Sequence, residues 1–218
     1  MILETRAVEP FFKNGFLLGC ERTREGVLID PGDEIEQLLG LVREYGVTVK
    51  SILLTHAHVD HVSGVAPAKQ ALDAPVYLHK DDLFLYQAAV QHGAMFGLHV
   101  ETPPPVDRFY EPGERLTFGD YDVRVHHTPG HCPGGVCLQV GPKGKPGKDL
   151  FVGDTLFAGS IGRTDLPGGH YETLMRSITA VLFPLGDDCV VHSGHGPDTT
   201  IEQERRTNPF VLQYLAER

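Results

Sequence analysis

The sequence predicts a layered α/β fold in one domain, residues 1–218, and three observations carry the prediction. Short runs rich in Val, Ile and Leu recur along the chain, each bounded by Gly, Pro, Asn or Asp, which is the signature of strands. Between them stand segments whose apolar residues repeat at helical spacing. Strands and helices intermix rather than segregate, a pattern that covers a sheet core with helices. A chain of 218 residues fits one domain of this type and can bury a full hydrophobic core.

The elements follow in order. Strands are expected at 16–20 and 26–30, a helix over 33–45, a strand at 49–55 and a helix over 62–72. A strand at 75–78 and a helix over 81–92 lead into 91–109, where Gly93, Gly97 and Pro103-Pro104-Pro105 read as a loop or cover. Strands at 121–127 and 135–140 precede a polar hairpin tip at 141–148, whose lysines read as solvated. A strand at 150–154, a helix over 171–183, a strand at 188–192 and a helix over 208–217 complete the chain. No internal repeat or low-complexity tract interrupts it.

Composition excludes some partners. A formal net charge of −10 disfavours an extended phosphate-binding face, and with it nucleic acid. No apolar run reaches the roughly 18 residues of a membrane helix. Residues 1–14 carry Glu4, Arg6, Glu9 and Lys13 where a signal peptide would be apolar, so a cytoplasmic protein is expected. Cys20, Cys132, Cys137 and Cys189 are scattered without a C-x-x-C pair and read as free thiols.

The 12 histidines call for a separate explanation. The strand at 49–55 runs directly into His56-Ala57-His58-Val59-Asp60-His61. Alternation along extended backbone puts His56 and His58 on one side. Asp60 and His61 fall at the turn into the next helix and face a second point. Burying three imidazoles and a carboxylate together without a metal would leave polar groups to satisfy. Two nearby sets of N and O donors suit two borderline ions such as zinc. Three further candidates, His131, Asp154 and His195, each follow an apolar strand at a glycine-containing loop. His126, His127 and His192 read as strand residues supporting these loops. His79, His92, His99 and His170 read as surface or structural, with His170 closest to the presumed site.

In order, Thr55-His56-Ala57-His58-Val59-Asp60-His61, Thr128-Pro129-Gly130-His131, Gly153-Asp154-Thr155-Leu156-Phe157 and Gly194-His195-Gly196-Pro197 resemble the metallo-β-lactamase superfamily. Within it the chain looks most like short glyoxalase II-like hydrolases, of the hydroxyacylglutathione hydrolase type. The resemblance implies an αββα four-layer sandwich with metals at one edge of the sheets. It implies one divalent ion on His56, His58 and His131 and a second on Asp60, His61 and His195, with Asp154 bridging. Zinc is expected, with iron or manganese as alternatives. Two such ions about 3.5–4 Å apart lower the pKa of a shared water, which attacks a carbonyl. Asp60 and Asp154 are the catalytic carboxylates, and Asp30 and Thr55 the expected supports for the ligands.

The implied substrate is a small-molecule thioester such as S-lactoylglutathione. Its thiol leaving group, with a pKa of roughly 8.5, needs little proton donation. Arg163 occupies the place of a basic residue that helps hold glutathione. The tyrosines usual in such enzymes are replaced by Asp165 and Pro197, and the long helical C-terminal extension is not expected. The alternative is a persulfide dioxygenase of the same superfamily, which uses one iron on a subset of these ligands.

Overall fold

Strand pairing passes from antiparallel to parallel along the chain, and that change decides where the polar loops emerge. The computed structural model describes residues 1–217, which divide into two compact units. The first comprises 1–111 with 117–121, and the second 112–116 with the described residues from Asp122 onward.

In the first unit, β1 (Ile2–Arg6), β2 (Gly15–Gly19), β3 (Glu25–Ile29), β4 (Thr48–Leu53), β5 (Val76–Leu78) and β6 (Arg108–Phe109) form a sheet in sequence order. β1, β2 and β3 pair antiparallel, and β3 to β6 pair parallel. Parallel neighbours require crossovers. These are α1 (Ile35–Tyr45), then α2 (Val59–Val62) with α3 (Val65–Leu72), then α4 (Leu83–Gln87) with α5 (Ala89–Met95). α1 buries Ile35, Leu38, Leu39, Leu41 and Val42 along one face, the stripe its spacing predicts.

Differences from expectation have local causes. β1 is absent from the predicted elements because Glu4 and Arg6 break its apolar pattern; it forms by pairing with β2, Ile2 opposite Gly19. The helix expected over 62–72 is broken at Ser63-Gly64, where the Gly64 amide leaves the helical ladder and donates to the Pro31 carbonyl at 3.1 Å. Residues 91–109 are not a single loop. Helix α5 continues to Met95, the Tyr86 hydroxyl donates to the Pro104 carbonyl at 2.8 Å, and β6 joins the sheet.

The order of the second six-stranded sheet is β14 (Thr199–Thr200), β13 (Val190–Ser193), β10 (Asp149–Gly153), β9 (Val136–Pro142), β8 (Tyr121–His127) and β7 (Arg115–Phe118). β10 and β13 pair parallel, while β11 (Leu156–Phe157) and β12 (Ser160–Ile161) make a separate hairpin. The helix expected over 171–183 is regular only as α6 (Tyr171–Arg176); a wider turn follows to Leu182, and a tighter one containing Pro184 ends at Leu185. α7 (Ile201–Thr207) is likewise absent from the predicted elements, since its buried face is only Ile201 and Glu204. α8 (Pro209–Ala216) starts with Pro209 at its first position and Asn208 Oδ1 accepting from the Phe210 and Val211 amides. Leu150, Val152, Leu174, Ile178, Val191 and Val211 build the core between these elements. The hairpin tip between β9 and β10 stands where expected.

All four cysteines are free and buried. No described helix is long and apolar enough to cross a membrane.

His192 on β13 is a buried imidazole stacked on Phe151 at 4.7 Å. Its Nε2 lies 3.1 Å from Asp149 Oδ1 and its Nδ1 3.0 Å from Asp198 Oδ2. Burial pulls its pKa down, but the hydrogen bond to Asp149 and the charge of Asp198 outweigh burial and raise it above 6.5. A raised folded-state pKa stabilises the fold fully below the unfolded value and loses that contribution as pH rises through the folded one. The urea midpoint of wild type should therefore exceed that of His192→Gln by most at mildly acid pH, and the gap should shrink as pH rises beyond about 6.5.

Candidate metal centre

In the first unit the parallel register Ile29 opposite Leu53 brings the ends of β3 and β4 side by side. Asp30 leaves β3 and Thr55-His56 follow β4, so the two loops meet. Asp30 Oδ1 accepts the Thr55 amide at 2.6 Å, and Oδ2 accepts the Thr55 hydroxyl at 2.5 Å. Asp30 Oδ2 also lies 3.0 Å from His61 Nδ1. An ionised carboxylate only accepts, so His61 carries its proton on Nδ1 and turns the Nε2 lone pair outward. The Thr55 hydroxyl, having given its proton to Asp30, accepts from His56 Nδ1 at 3.2 Å, which fixes the same tautomer in His56. Asp30 and Thr55 thus contact His61 and His56 directly.

His56 stacks edge-on to His58 with centroids 4.9 Å apart and lies 4.0 Å from His61. His58 stands just before α2, which carries Asp60 and His61 in its single turn. The Ala57 amide, between the first two histidines, donates to Asp82 Oδ2 at 3.1 Å. Asp82 is fully buried on the turn Lys80–Asp82, and sequence reasoning misses it. Its only signal is an acidic pair, Asp81-Asp82, following a strand end.

In the second unit Asp154 follows β10 and His195 follows β13. These strands pair parallel, and the Gly194 amide donates to the Gly153 carbonyl at 2.8 Å, locking the two loops together. His131 follows β8, and its Nδ1 lies 2.8 Å from the Arg163 carbonyl, which sets the Nδ1–H tautomer again. The loop reaches this place because Gly130 stands at φ 133, where a Cβ would lie 2.2 Å from the Leu174 nitrogen. Asp154 Oδ2 is 3.7 Å from His131 Nε2 and 3.6 Å from His195 Nε2. In the first unit His61 Nε2 and Asp60 Oδ2 are likewise 3.6 Å apart.

These separations are long for hydrogen bonds. Two ligand atoms each about 2.0–2.2 Å from one tetrahedral ion stand about 3.3–3.6 Å apart, so the pairs have the spacing of donors that share a cation. The chemistry agrees: imidazole nitrogens with their far sides tied back, and carboxylate oxygens, are the donors of zinc and iron sites. The residues present fit divalent metal.

Three of the remaining histidines make local contacts. His126 contacts Gln139 at 2.9 Å, His127 contacts the Pro133 carbonyl at 2.8 Å, and His170 caps α6 by accepting from the Thr173 amide. Arg163 is exposed, and its guanidinium makes two 2.7 Å hydrogen bonds to Asp165. That fork holds the Asp165 carboxyl down to about 2. Arg205 reaches the Phe183 carbonyl and Asp187, and Arg206 pairs with Glu202 on α7.

A histidine and aspartate donor set on loops at strand ends of a mixed α/β fold defines a candidate metalloenzyme centre. Residues 8–195 match the metallo-β-lactamase superfamily, and the chain belongs to it. It is 38% identical over 213 residues to the hydroxyacylglutathione hydrolase GloC of Haemophilus influenzae, covering 97% of this chain and 98% of that protein. Among solved structures it resembles TTHA1623 in a di-iron-bound form, with TM-score 0.85 and 45% identity over 95% of this chain and 99% of the other. It also resembles the B3 metallo-β-lactamase BLEG-1, with TM-score 0.87 and 36% identity over 96% and 99%. The metallo-β-lactamase fold that the motifs imply is the fold of this chain.

If Asp30 aims His61, weakening that contact should weaken metal binding without touching a ligand. Asp30→Asn is expected to lower the affinity for one of the bound ions by about 10–100-fold, read by competition with a chromophoric chelator.

Proposed function

We propose that this chain is a two-metal hydrolase of small-molecule thioesters, with S-lactoylglutathione and other S-2-hydroxyacylglutathiones as the substrate class. The observation that carries the reading is the single oxygen Asp154 Oδ2 standing 3.6–3.7 Å from both His131 and His195, the arrangement of a bridging carboxylate. In this reading His56, His58 and His131 would hold one ion, Asp60, His61 and His195 would hold the other, and Asp154 would be shared. Zinc is the expected metal; the di-iron form of TTHA1623 supports iron as an alternative. The likeness to GloC supports the glutathione thioester. Residues 1–218 act as one functional domain, since the superfamily match runs through both compact units. The four free thiols support a reducing, cytoplasmic setting.

When bound, the two cations supply a water of lowered pKa as nucleophile and Lewis-acid stabilisation of the developing oxyanion. The chain's own groups do the rest. Asp30, Thr55 and the Arg163 carbonyl keep three imidazoles in the tautomer that presents Nε2. Asp60, on the partly exposed turn beside His61, accepts the proton of the attacking water and orients it. No dedicated acid is required, because a thiolate leaves unprotonated near neutral pH. Arg163 is the proposed contact to the thiol moiety. Asp165 already offsets its charge, which limits what it contributes to binding an anionic substrate.

Asp154→Ala is expected to abolish turnover, by about 1,000-fold or more in kcat, and to reduce metal content below two ions per chain, while the protein stays folded by circular dichroism. Elemental analysis with a panel of acyl-glutathiones tests the reading itself. One iron per chain with oxygen uptake on glutathione persulfide would replace it by the dioxygenase, and turnover confined to β-lactams would replace the substrate. Arg163→Ala should raise KM for acyl-glutathiones by about 3–10-fold and leave kcat unchanged, the pattern of lost uniform binding.

A further inference from the structure

Lys13 and Glu34 form a buried ion pair directly against the turn that begins with Asp30. Each side chain is 2% exposed, and Lys13 Nζ lies 2.7 Å from Glu34 Oε1. The same ammonium donates to the main-chain carbonyl of Asp30. The same carboxylate oxygen accepts the Gly32 amide at 2.8 Å. One ion pair therefore grips the Asp30-Pro31-Gly32 turn at both ends.

Stability alone does not account for the pair. Removing two such charges from water is costly, and well-packed apolar residues of similar volume often serve as well or better. What the pair supplies is a donor and an acceptor at fixed points on the backbone. The turn contains Asp30 at φ 48, a left-handed conformation uncommon for a non-glycine residue, and the pair braces the turn at both ends. The chain also makes room for the pair. A Cβ at position 15 would lie 1.9 Å from Glu34 Oε1, and Gly15 has none. On its other side the same Asp30 holds Thr55 and His61 through its carboxylate.

We propose that Lys13 and Glu34 are positioning residues for the metal centre: they fix the backbone of Asp30, and Asp30 thereby aims His61 Nε2. The inference rests on the reading of His61 as a metal ligand. It assigns a function to two charged residues more than 20 positions apart that touch no ligand themselves.

The test is Lys13→Met/Glu34→Gln in the full chain. Both charges go at nearly constant volume. The carboxamide oxygen that replaces the Glu34 carboxylate still accepts the Gly32 amide, so the lost contact is the one to the Asp30 carbonyl. Metal-free protein is unfolded in urea, and cobalt(II) is titrated into the folded protein while its visible absorption and its competition with a chelator are recorded. The expected result is a urea midpoint close to wild type, affinity for one cobalt ion reduced by about 10–100-fold, and a changed ligand-field spectrum. Glu34→Gln alone keeps the Lys13 contact to Asp30 and should retain the wild-type spectrum. A double variant that binds both ions with wild-type affinity and spectrum would overturn the proposal. So would one that loses both ions only in step with its urea stability, since that is a purely structural role. If the double variant does not fold, Glu34→Asp, which draws the acceptor back by one methylene, carries the same comparison. Wild-type protein that takes up no cobalt would instead remove the underlying metal reading, which separates the two failures.

Discussion

Parallel strand pairing is the constraint on which the candidate donor loops of each unit depend. A parallel neighbour is reached only by a crossover, so successive strands end along the same edge and their outgoing loops lie side by side. β3 and β4 obey this in the first unit and β10 and β13 in the second. Asp30 meets Thr55 for that reason, and Asp154 meets His195 for the same reason. Within each unit, two side chains separated by tens of residues become neighbours because of backbone register, before any of their own interactions is considered. The side chains then add what register cannot, which is direction.

Direction comes from a rule applied three times. An imidazole has two nitrogens, and only a partner at one of them decides which lone pair is presented. His61 is tied by Asp30, His56 by the Thr55 hydroxyl and His131 by the Arg163 carbonyl. The partners differ chemically, yet each accepts the hydrogen bond from Nδ1–H and leaves the Nε2 lone pair as the candidate donor. The first two are coupled, since Asp30 takes the hydroxyl proton that would otherwise compete for His56. A change at Asp30 therefore reaches His61 directly and His56 only through Thr55, whereas a change near Arg163 reaches His131.

The sequence discloses the candidate donor atoms better than it discloses the groups that contact them. Metal chemistry accepts few residue types, so histidines and aspartates crowded into 56–61, or placed at strand ends as His131, Asp154 and His195 are, stand out without any structure. The strand and helix pattern is similarly plain wherever an element buries a full apolar stripe, as α1 does. It fails where burial is partial. β1 and α7 present too few apolar positions to generate a period, and β7, β11, β12 and β14 are too short to show one. Asp82, Lys13 and Glu34 are invisible for a different reason. Each acts on main-chain atoms brought near by tertiary folding, and a backbone carbonyl leaves no mark in the sequence.

Substrate recognition obeys weaker rules than metal binding, and Arg163 shows why. Its position is legible, and taken alone it would be a cation ready for a carboxylate of glutathione. Two residues later Asp165 occupies the same guanidinium with a bidentate fork. At this exposed place both ions stay hydrated, and the pair itself is worth little. Even so, a substrate anion must compete with a carboxylate that is permanently at hand and fully ionised at neutral pH. The motif glycine-arginine-threonine-aspartate thus contains both the proposed binding group and its competitor. A thioester whose thiol half relies less on charge would lose less at such a site than one that relies on it heavily, so the acyl and thiol preferences of this chain need not track those of relatives that hold tyrosine in place of Asp165.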